Sequence, residues 1–351
     1  FNHEAKYKIF DIFGGKRNEG AFWALPNDDY KLWEQFEKET HAFNEIGPKQ
    51  YKVNLLYPMF SKHLPKELPQ YLPNIKAKVF TIPFKEIEER DVSLALGPLG
   101  SRARIVWNTI IRELNERASG PNIDLLMSAK LKKRKNDAMY QLFIKPAIEN
   151  NLFSSTAFEM NLDIESEAED KETISVLCLD YVPERFKLFI MGFIMKKLFN
   201  LAKDDKIHKK NICMFREASY FMKVMDSDKS REDTVSVFRN QLVDIARYGR
   251  SGLFLAMDSQ DAREVGGLID GQDDLMIINE MPSHTSREAT CDPLYRDRRM
   301  NKQQIIYIAT MPVHQVCLIS RGERAVILKR IQPPRCKYWK VEYGNFMSQW
   351  K

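Results

Sequence analysis

The sequence predicts an α/β protein with a mostly parallel sheet flanked by helices and an α-helical insertion. Two patterns point to this fold class. Short apolar runs rich in β-branched and aromatic residues alternate with helical patterns, whereas residues 92–160 have apolar residues at helical spacing and few strand signals. At 351 residues and 44% hydrophobic composition, the chain can bury a large core. We therefore expect one core interrupted by an insertion rather than two independent domains.

The predicted strands are short apolar runs bounded by polar or turn residues, as expected for buried strands. In chain order they are Tyr7–Phe13, Lys52–Tyr57, Ala77–Ile82, Thr173–Leu179, Asn211–Phe215, Gly252–Met257, Asp274–Asn279, Val313–Ser320 and Arg324–Ile331.

A long helix is predicted after Val182. Pro183 and Glu184 suit a first helical turn, and apolar residues recur at helical spacing from Phe186 to Leu198. A strand, a crossover helix and another strand in this order are typical of a parallel sheet. The predicted organisation is a first part of the core at 1–91, the helical insertion at 92–165 and a second part of the core at 166–351.

Charged segments in and near the insertion allow different interpretations. The acidic stretch from Asp163 to Glu172 is interpreted as a solvated loop. The densest basic run fits either a solvated helix end or a contact with nucleic-acid phosphates, and both interpretations remain open. Lys206–Lys210 is a second candidate DNA contact. The densest basic run, which lies in the insertion, consists of Lys130, Lys132, Lys133, Arg134 and Lys135.

Composition excludes several classes of protein. The net charge of +6 is mild for a nucleic-acid binder and decides nothing by itself. The longest apolar run, Leu188–Met195, is far shorter than the roughly 20 residues that span a bilayer, which excludes an integral membrane protein. The five cysteines are widely spaced in apolar runs and are interpreted as buried thiols of a reducing compartment, the cytoplasm or a viral packaging complex.

Common enzyme motifs are missing from the sequence. There is no HExxH, no paired metal-ligand spacing, no GxSxG and no GxGxxG, so zinc protease, triad hydrolase and dinucleotide-binding interpretations lose their main support. Glu169-Asp170-Lys171 matches a nuclease-type (D/E)xK element. This alternative is weak because the triplet lies in the acidic stretch with no preceding proline-aspartate on a strand.

Two segments carry the chemistry. The strand Asn211–Phe215 is followed at once by Arg216 and Glu217, and an open α/β sheet places ligand-binding groups at this end of a strand. Later, a helix carrying Arg247 leads through a glycine-containing turn into a strand that ends in Asp258-Ser259-Gln260. A carboxylate, a polar sensor and an arginine are the groups that a nucleotide-hydrolysing site requires.

The order of these motifs resembles the FtsK and HerA superfamily of hexameric DNA-pumping ATPases, which also includes viral genome-packaging and conjugation ATPases. The resemblance rests on Phe215-Arg216-Glu217-Ala218, Arg247-Tyr248-Gly249 and Ala256-Met257-Asp258-Ser259-Gln260. The segments Tyr7–Gly15, Thr173–Leu201 and Ile331–Arg335 also match the family's layout. The resemblance implies a RecA-like sheet, ATP and Mg²⁺ as ligands, double-stranded DNA as a partner and assembly into a ring, expected to be a hexamer.

The resemblance also implies roles for individual residues. Glu217 would polarise the attacking water, and Gln260, with Ser259 or Asp258, would sense the γ-phosphate. Arg247 would act as an arginine finger that reaches a neighbouring subunit, with Arg239 and Arg250 as further candidates. Asp11 and Arg216 are candidate nucleotide-binding residues.

Two features depart from the family's pattern. No GxxxxGK[ST] loop occurs, and Gly14-Gly15-Lys16-Arg17 lacks the required spacing. We expect this loop upstream of Phe1, so the 351-residue chain should not bind ATP tightly and should be inactive alone. Arg216 stands where the family has an aspartate that helps to hold Mg²⁺, and an arginine cannot ligate a cation, so the metal ligands stay unidentified.

The predicted function is therefore an ATP-driven DNA translocase subunit for packaging, conjugation or segregation. The alternative is a catalytically inactive ATPase-like scaffold or DNA-binding subunit, suggested by the missing loop and by Arg216.

Overall fold

The computed structural model describes residues 19–26, 52–63, 75–115, 139–154, 162–170, 173–204, 206, 211–215, 218, 229–248, 253–259, 275–279, 281, 283–312, 315–320, 324–329 and 336–340. The strands are β1 (Glu19–Pro26), β2 (Lys52–Pro58), β3 (Ile75–Phe80), β4 (Ile82–Pro83), β5 (Phe153–Ser154), β6 (Thr173–Leu177), β7 (Asn211–Phe215), β8 (Leu253–Met257), β9 (Leu275–Ile278), β10 (Gln315–Ser320), β11 (Val326–Lys329) and β12 (Cys336–Lys340). The α-helices are α1 (Glu89–Leu96), α2 (Ser101–Asn115), α3 (Lys145–Glu149), α4 (Ile164–Glu169), α5 (Glu184–Lys203), α6 (Lys229–Tyr248), α7 (His284–Arg296) and α8 (Lys302–Ile308).

Apart from β1, the described strands that precede residue 260 pair in parallel. β2 lies between β3 and β6 and is parallel to both, β4 is parallel to β5, and β7 is parallel to β8. Parallel neighbours need a crossover connection, and α6 lies in the chain between β7 and β8. The predicted α/β class, with parallel strands flanked by helices, is confirmed.

Most predicted strands that fall on described residues are confirmed, with end points shifted by a few residues. Asn211–Phe215 is confirmed at both ends. The predicted strand Tyr7–Phe13 lies outside the described residues. The antiparallel pair β1 and β12 was not predicted, because Glu19 pairs with Lys340 and such distant pairing leaves no local sequence pattern.

The main hydrophobic core surrounds α5. This helix begins after Pro183, as predicted, and buries Phe186, Phe189 and Phe193. The Phe189 ring centroid lies 5.0 Å from that of Phe143 and 6.1 Å from that of Phe153. Residues of the predicted insertion therefore pack into the same core as α5, and the proposed boundaries at 91 and 165 stay a prediction.

A close helix crossing at Gly192 ties α1, α5 and α6 together. A Cβ atom at Gly192 would lie 2.3 Å from Cδ1 of Leu94 in α1 and 2.9 Å from Oε1 of Gln241 in α6. The buried Gln241 side chain donates from Nε2 to the Gly192 carbonyl oxygen at 2.7 Å. A larger residue at position 192 would therefore have to displace the buried side chains of Leu94 and Gln241.

The described part of the acidic stretch, from Asp163 to Asp170, forms a helix rather than a solvated loop, which corrects the prediction. Asp163 caps α4 by accepting the backbone N–H of Ser166 at 3.0 Å, and Ile164 and Ala168 are buried. Glu167 accepts hydrogen bonds from three strands: from Asn54 Nδ2 in β2 at 2.9 Å, from Lys78 in β3 and from Ser175 in β6. The helix cap and the burial of two apolar side chains therefore stabilise a helix here, although the stretch is rich in acidic residues.

A second, smaller core lies in the antiparallel sheet β9–β10–β11 with α7 and α8. β10 is the central strand and is antiparallel to both neighbours. The buried residues of this smaller core include Ile278, Cys291, Leu294, Cys317 and Ile319. The antiparallel sheet therefore has a hydrophobic cluster separate from the main core around α5.

Four cysteines of the described residues, Cys178, Cys213, Cys291 and Cys317, are free thiols, as predicted. None of the described helices is long and apolar enough to span a membrane.

Candidate functional site

The carboxyl ends of β7 and β8 meet at one edge of their parallel pair. Phe215 is opposite Met257 in the register, so both strands end at the same level. The pairing continues beyond the strands: the Asp258 N–H donates to the Phe215 carbonyl oxygen at 3.1 Å, and the Ala218 N–H donates to the Asp258 carbonyl oxygen at 2.8 Å. The chain segments that leave the two strands are thus held side by side.

Apolar packing on α6 fixes this edge. Phe215 is buried, and its ring centroid lies 6.2 Å from that of Phe238 in α6 in an edge-on arrangement. Ala218 is fully buried. The buried apolar residues of α6 recur at helical spacing, which gives the helix one apolar face toward the core. They are Val235, Phe238, Leu242 and Ile245.

The described part of this edge presents Asp258 and Ser259, both exposed to solvent. Arg216 and Glu217 follow β7 directly in the sequence, and Gln260 follows Ser259. These three residues lie outside the described residues, as do Asp11, Arg250 and the basic run Lys130–Lys135. The geometry therefore brings together the two segments that lead into the predicted catalytic residues, and the roles of those residues stay predictions.

Arg247 belongs to the last turn of α6, whose final residue is Tyr248. A crossover helix between parallel strands runs back from the carboxyl edge to the amino edge of the pair. The α6 backbone at Arg247 therefore lies toward the amino edge, away from Ser259 of the same chain. The half-buried Arg239 lies about two helical turns earlier.

The oxygen groups at the edge are of the kind that Mg²⁺ binds, namely a carboxylate on Asp258 and a hydroxyl on Ser259. Two such groups are too few for an octahedral ion, which usually takes one or two carboxylates together with phosphate oxygens and water. Within the described residues, no group of three or more His, Cys, Asp or Glu side chains could hold a metal ion. A bound nucleotide phosphate would have to complete any Mg²⁺ site here.

Thiol chemistry does not suit this edge. Cys213 lies within β7, and burial raises the pKa of its thiol to about 12. The thiol is therefore protonated at neutral pH, whereas nucleophilic cysteines have a lowered pKa.

The nuclease alternative gains no support from the geometry of its triplet. Glu169 is the last residue of α4, and Asp170 accepts a hydrogen bond from the Thr173 hydroxyl at 2.6 Å. Neither residue lies on a strand, and Lys171 lies outside the described residues.

Comparisons with known proteins give matches among solved structures only. No protein-family model matches the sequence, and no curated protein matches it. The genome packaging NTPase B204 from Sulfolobus turreted icosahedral virus 2, in complex with AMP, is 14% identical at a TM-score of 0.31, over 47% of this chain and 70% of that chain. The pCW3 conjugation coupling protein TcpA, in its monomer form with ATPγS, is 14% identical at a TM-score of 0.31, over 48% of each chain.

A third match is B204 from the same virus in complex with AMPPCP, at 14% identity and a TM-score of 0.31, over 56% of this chain and 93% of that chain. At this identity, no site residue is transferred from these matches to this chain.

Proposed function

We propose that this chain is part of an ATP-driven motor that moves double-stranded DNA, as in packaging, conjugation or segregation. One observation carries the proposal. The segments that lead into Glu217 and Gln260 leave two adjacent parallel strands at the same edge and are joined there by backbone hydrogen bonds. A carboxylate and an amide at this edge would flank the terminal phosphate of a nucleotide.

In this proposal Glu217 orients the attacking water, and Gln260 with Ser259 contacts the γ-phosphate. Asp258 contributes a carboxylate to Mg²⁺, while Arg216, which replaces a second carboxylate, contacts phosphate. Arg247 lies toward the opposite edge of the strand pair, so it acts on the nucleotide of a neighbouring subunit in a ring. An arginine supplied in this way stabilises the charge that develops during phosphoryl transfer.

The test is ATP hydrolysis by the complete gene product with and without duplex DNA. We expect DNA to stimulate turnover and Glu217→Gln to lower it by about 100-fold or more, the range for loss of a general base. Glu165→Gln is the matched control, because Glu165 is an exposed carboxylate on α4. Unchanged turnover in Glu217→Gln would show that the assigned role is wrong.

A second candidate function is an ATPase-like scaffold or DNA-binding subunit without turnover. Arg216 favours it, because an arginine replaces a carboxylate directly after β7. Restoring the carboxylate with Arg216→Asp separates the two functions: a motor gains or keeps turnover, whereas a scaffold shows none in either form. Nucleotide binding measured in parallel shows whether the site is filled.

A further inference from the structure

A pocket of about 480 Å³ lies in the antiparallel part of the fold, where the turn after α7 meets the segment before β11. Four arginines line it: Arg296, Arg298, Arg299 and Arg324. Three of these arginines lie in the run Arg296-Asp297-Arg298-Arg299, whereas Arg324 is distant in the sequence, so no local pattern predicts the pocket. This pocket shares no residue with the β7–β8 edge.

The exposed arginines of the pocket have no acidic partner among the residues that the structure describes. Arg296, Arg298 and Arg324 are exposed, and none of them forms an ion pair within the part of the chain that the structure describes. None of the described residues that line the pocket is acidic. Asp292 and Asp297 lie in the same segment but do not line the pocket. Guanidinium groups present planar sets of donors that match phosphate oxygens.

Hydrogen bonds hold the two arginine-bearing segments in a fixed arrangement. The Ala325 N–H donates to the Arg299 carbonyl oxygen at 2.6 Å, and Gln304 Nε2 donates to the Ala325 carbonyl oxygen at 2.7 Å. Arg299 Nη2 donates to the Ser320 carbonyl oxygen at 2.6 Å. The arginines therefore project from a preformed frame rather than from independent loops.

The backbone at Arg298 adds to this observation. Its φ angle of 58° lies in the left-handed region, which a glycine or an asparagine adopts more easily than an arginine. The Arg298 N–H donates to the Tyr295 carbonyl oxygen at 3.0 Å and the Arg299 N–H donates to the Leu294 carbonyl oxygen at 2.8 Å, so this conformation closes the C-terminus of α7 and fixes the backbone at Arg298.

We propose that this pocket binds phosphate groups of a nucleic-acid backbone without reading the base sequence. Three of the four arginines, Arg296, Arg298 and Arg324, are exposed and come from two chain segments, which suits a long polyanion lying across the surface better than a small anion that needs enclosure. The exposed ring of Tyr295 lies beside them. The choice of DNA rests on the proposed function, but the pocket is independent of ATP hydrolysis.

The experiment measures binding of a short labelled DNA duplex of random sequence to the full chain, without ATP, over a series of salt concentrations. The double variant Arg298→Gln/Arg324→Gln should weaken binding about tenfold per arginine and should lower the slope of log K against log salt by about 0.9 per lost phosphate contact. The charge-matched control is Arg90→Gln/Arg104→Gln, which removes two exposed arginines that lie outside the pocket and pair with Asp244 and Glu89. It should leave the slope unchanged.

Replacing both pocket arginines by lysine should retain the salt slope, because the charges remain. An equal slope in the wild type and the glutamine variant would overturn the proposal. So would a variant that binds DNA normally but loses binding of inorganic tripolyphosphate, since the ligand would then be a free phosphate compound. If DNA binding depends on the arginines while no DNA-stimulated hydrolysis is found, the motor proposal fails and the pocket stands.

Discussion

The two larger sheets of the molecule differ in how they are covered. The parallel sheet β3–β2–β6 packs apolar side chains on both faces, with Leu56 and Phe80 in the main core and Val53, Tyr57 and Val176 in a separate cluster. The antiparallel sheet β9–β10–β11 is buried on one face only. Leu275 and Ile277 on its other face are 56% and 57% exposed.

The difference follows from connectivity. Parallel neighbours are joined by crossovers that cover the sheet. Antiparallel strands can be joined by short turns, which leave one face of the sheet exposed to solvent. The parallel part also buries the ring cluster around Phe189, while the antiparallel part relies on aliphatic side chains and two cysteines. We infer that apolar packing stabilises the parallel part and that hydrogen bonds set the geometry of the antiparallel part, where the arginine pocket lies.

Removing one ring from the main core should have the largest effect. Phe189 is fully buried and contacts several rings, so Phe189→Ala should lower the free energy of unfolding by about 4 kcal/mol. Ile319→Val in the small core removes one methylene group and should cost about 1 kcal/mol. Urea denaturation of both variants measures the difference. Equal losses would contradict the comparison, because the aromatic cluster would then contribute no more than the small core.

The carboxylate of Glu167 tests a polar contribution to the parallel part. Burial raises the pKa of Glu167, but hydrogen bonds from Lys78, Ser175 and Asn54 outweigh burial and hold the pKa below its usual value. Glu167→Gln should cost about 2 kcal/mol at pH 7, in the range for hydrogen bonds to a charged group. The measurement is the free energy of unfolding of both proteins as a function of pH.

The sign of the pH dependence follows from the lowered pKa of Glu167. Its stabilisation is complete above the unfolded-state pKa of about 4.3 and is lost as the pH falls through the lower folded-state pKa. The two proteins should therefore converge in acid. Glu165→Gln, an exposed change on the same helix, should stay within about 0.5 kcal/mol of the wild type at every pH. A constant difference down to the acid limit would contradict the proposed charge effect.

Local patterns in the sequence sufficed for much of the parallel part. β7 and α5 were predictable because a short apolar run and a helical repeat each produce a recognisable period. The order of the segments that flank the candidate site was predictable for the same reason. The position of Arg247 toward the opposite edge follows only from the parallel pairing of β7 with β8, which is a tertiary fact.

Features that depend on distant residues were not predictable. Charge density in the stretch from Asp163 to Glu172 suggested a loop, because nothing local shows that Asn54, Lys78 and Ser175 surround Glu167. The pocket that combines Arg298 with Arg324 was not predictable for the same reason, because these two residues are distant in the sequence. In both cases, a charged side chain gains its role from segments that only the fold brings near.

The smallest expected effect concerns the antiparallel part, where Asn301 is the N-cap residue of α8. Its Oδ1 accepts the Gln304 N–H at 2.9 Å, and Gln304 Oε1 accepts the Asn301 N–H at 2.9 Å. Asn301→Ala should cost about 1 kcal/mol, the usual value for loss of a helix cap. Because Gln304 also binds the Ala325 carbonyl oxygen, the variant should loosen the frame that carries Arg324 and should weaken DNA binding in the salt series. Asn301→Ser keeps an acceptor at the cap and should restore both stability and binding. If alanine and serine behave alike, hydrogen bonding at this cap does not set the geometry of the antiparallel part.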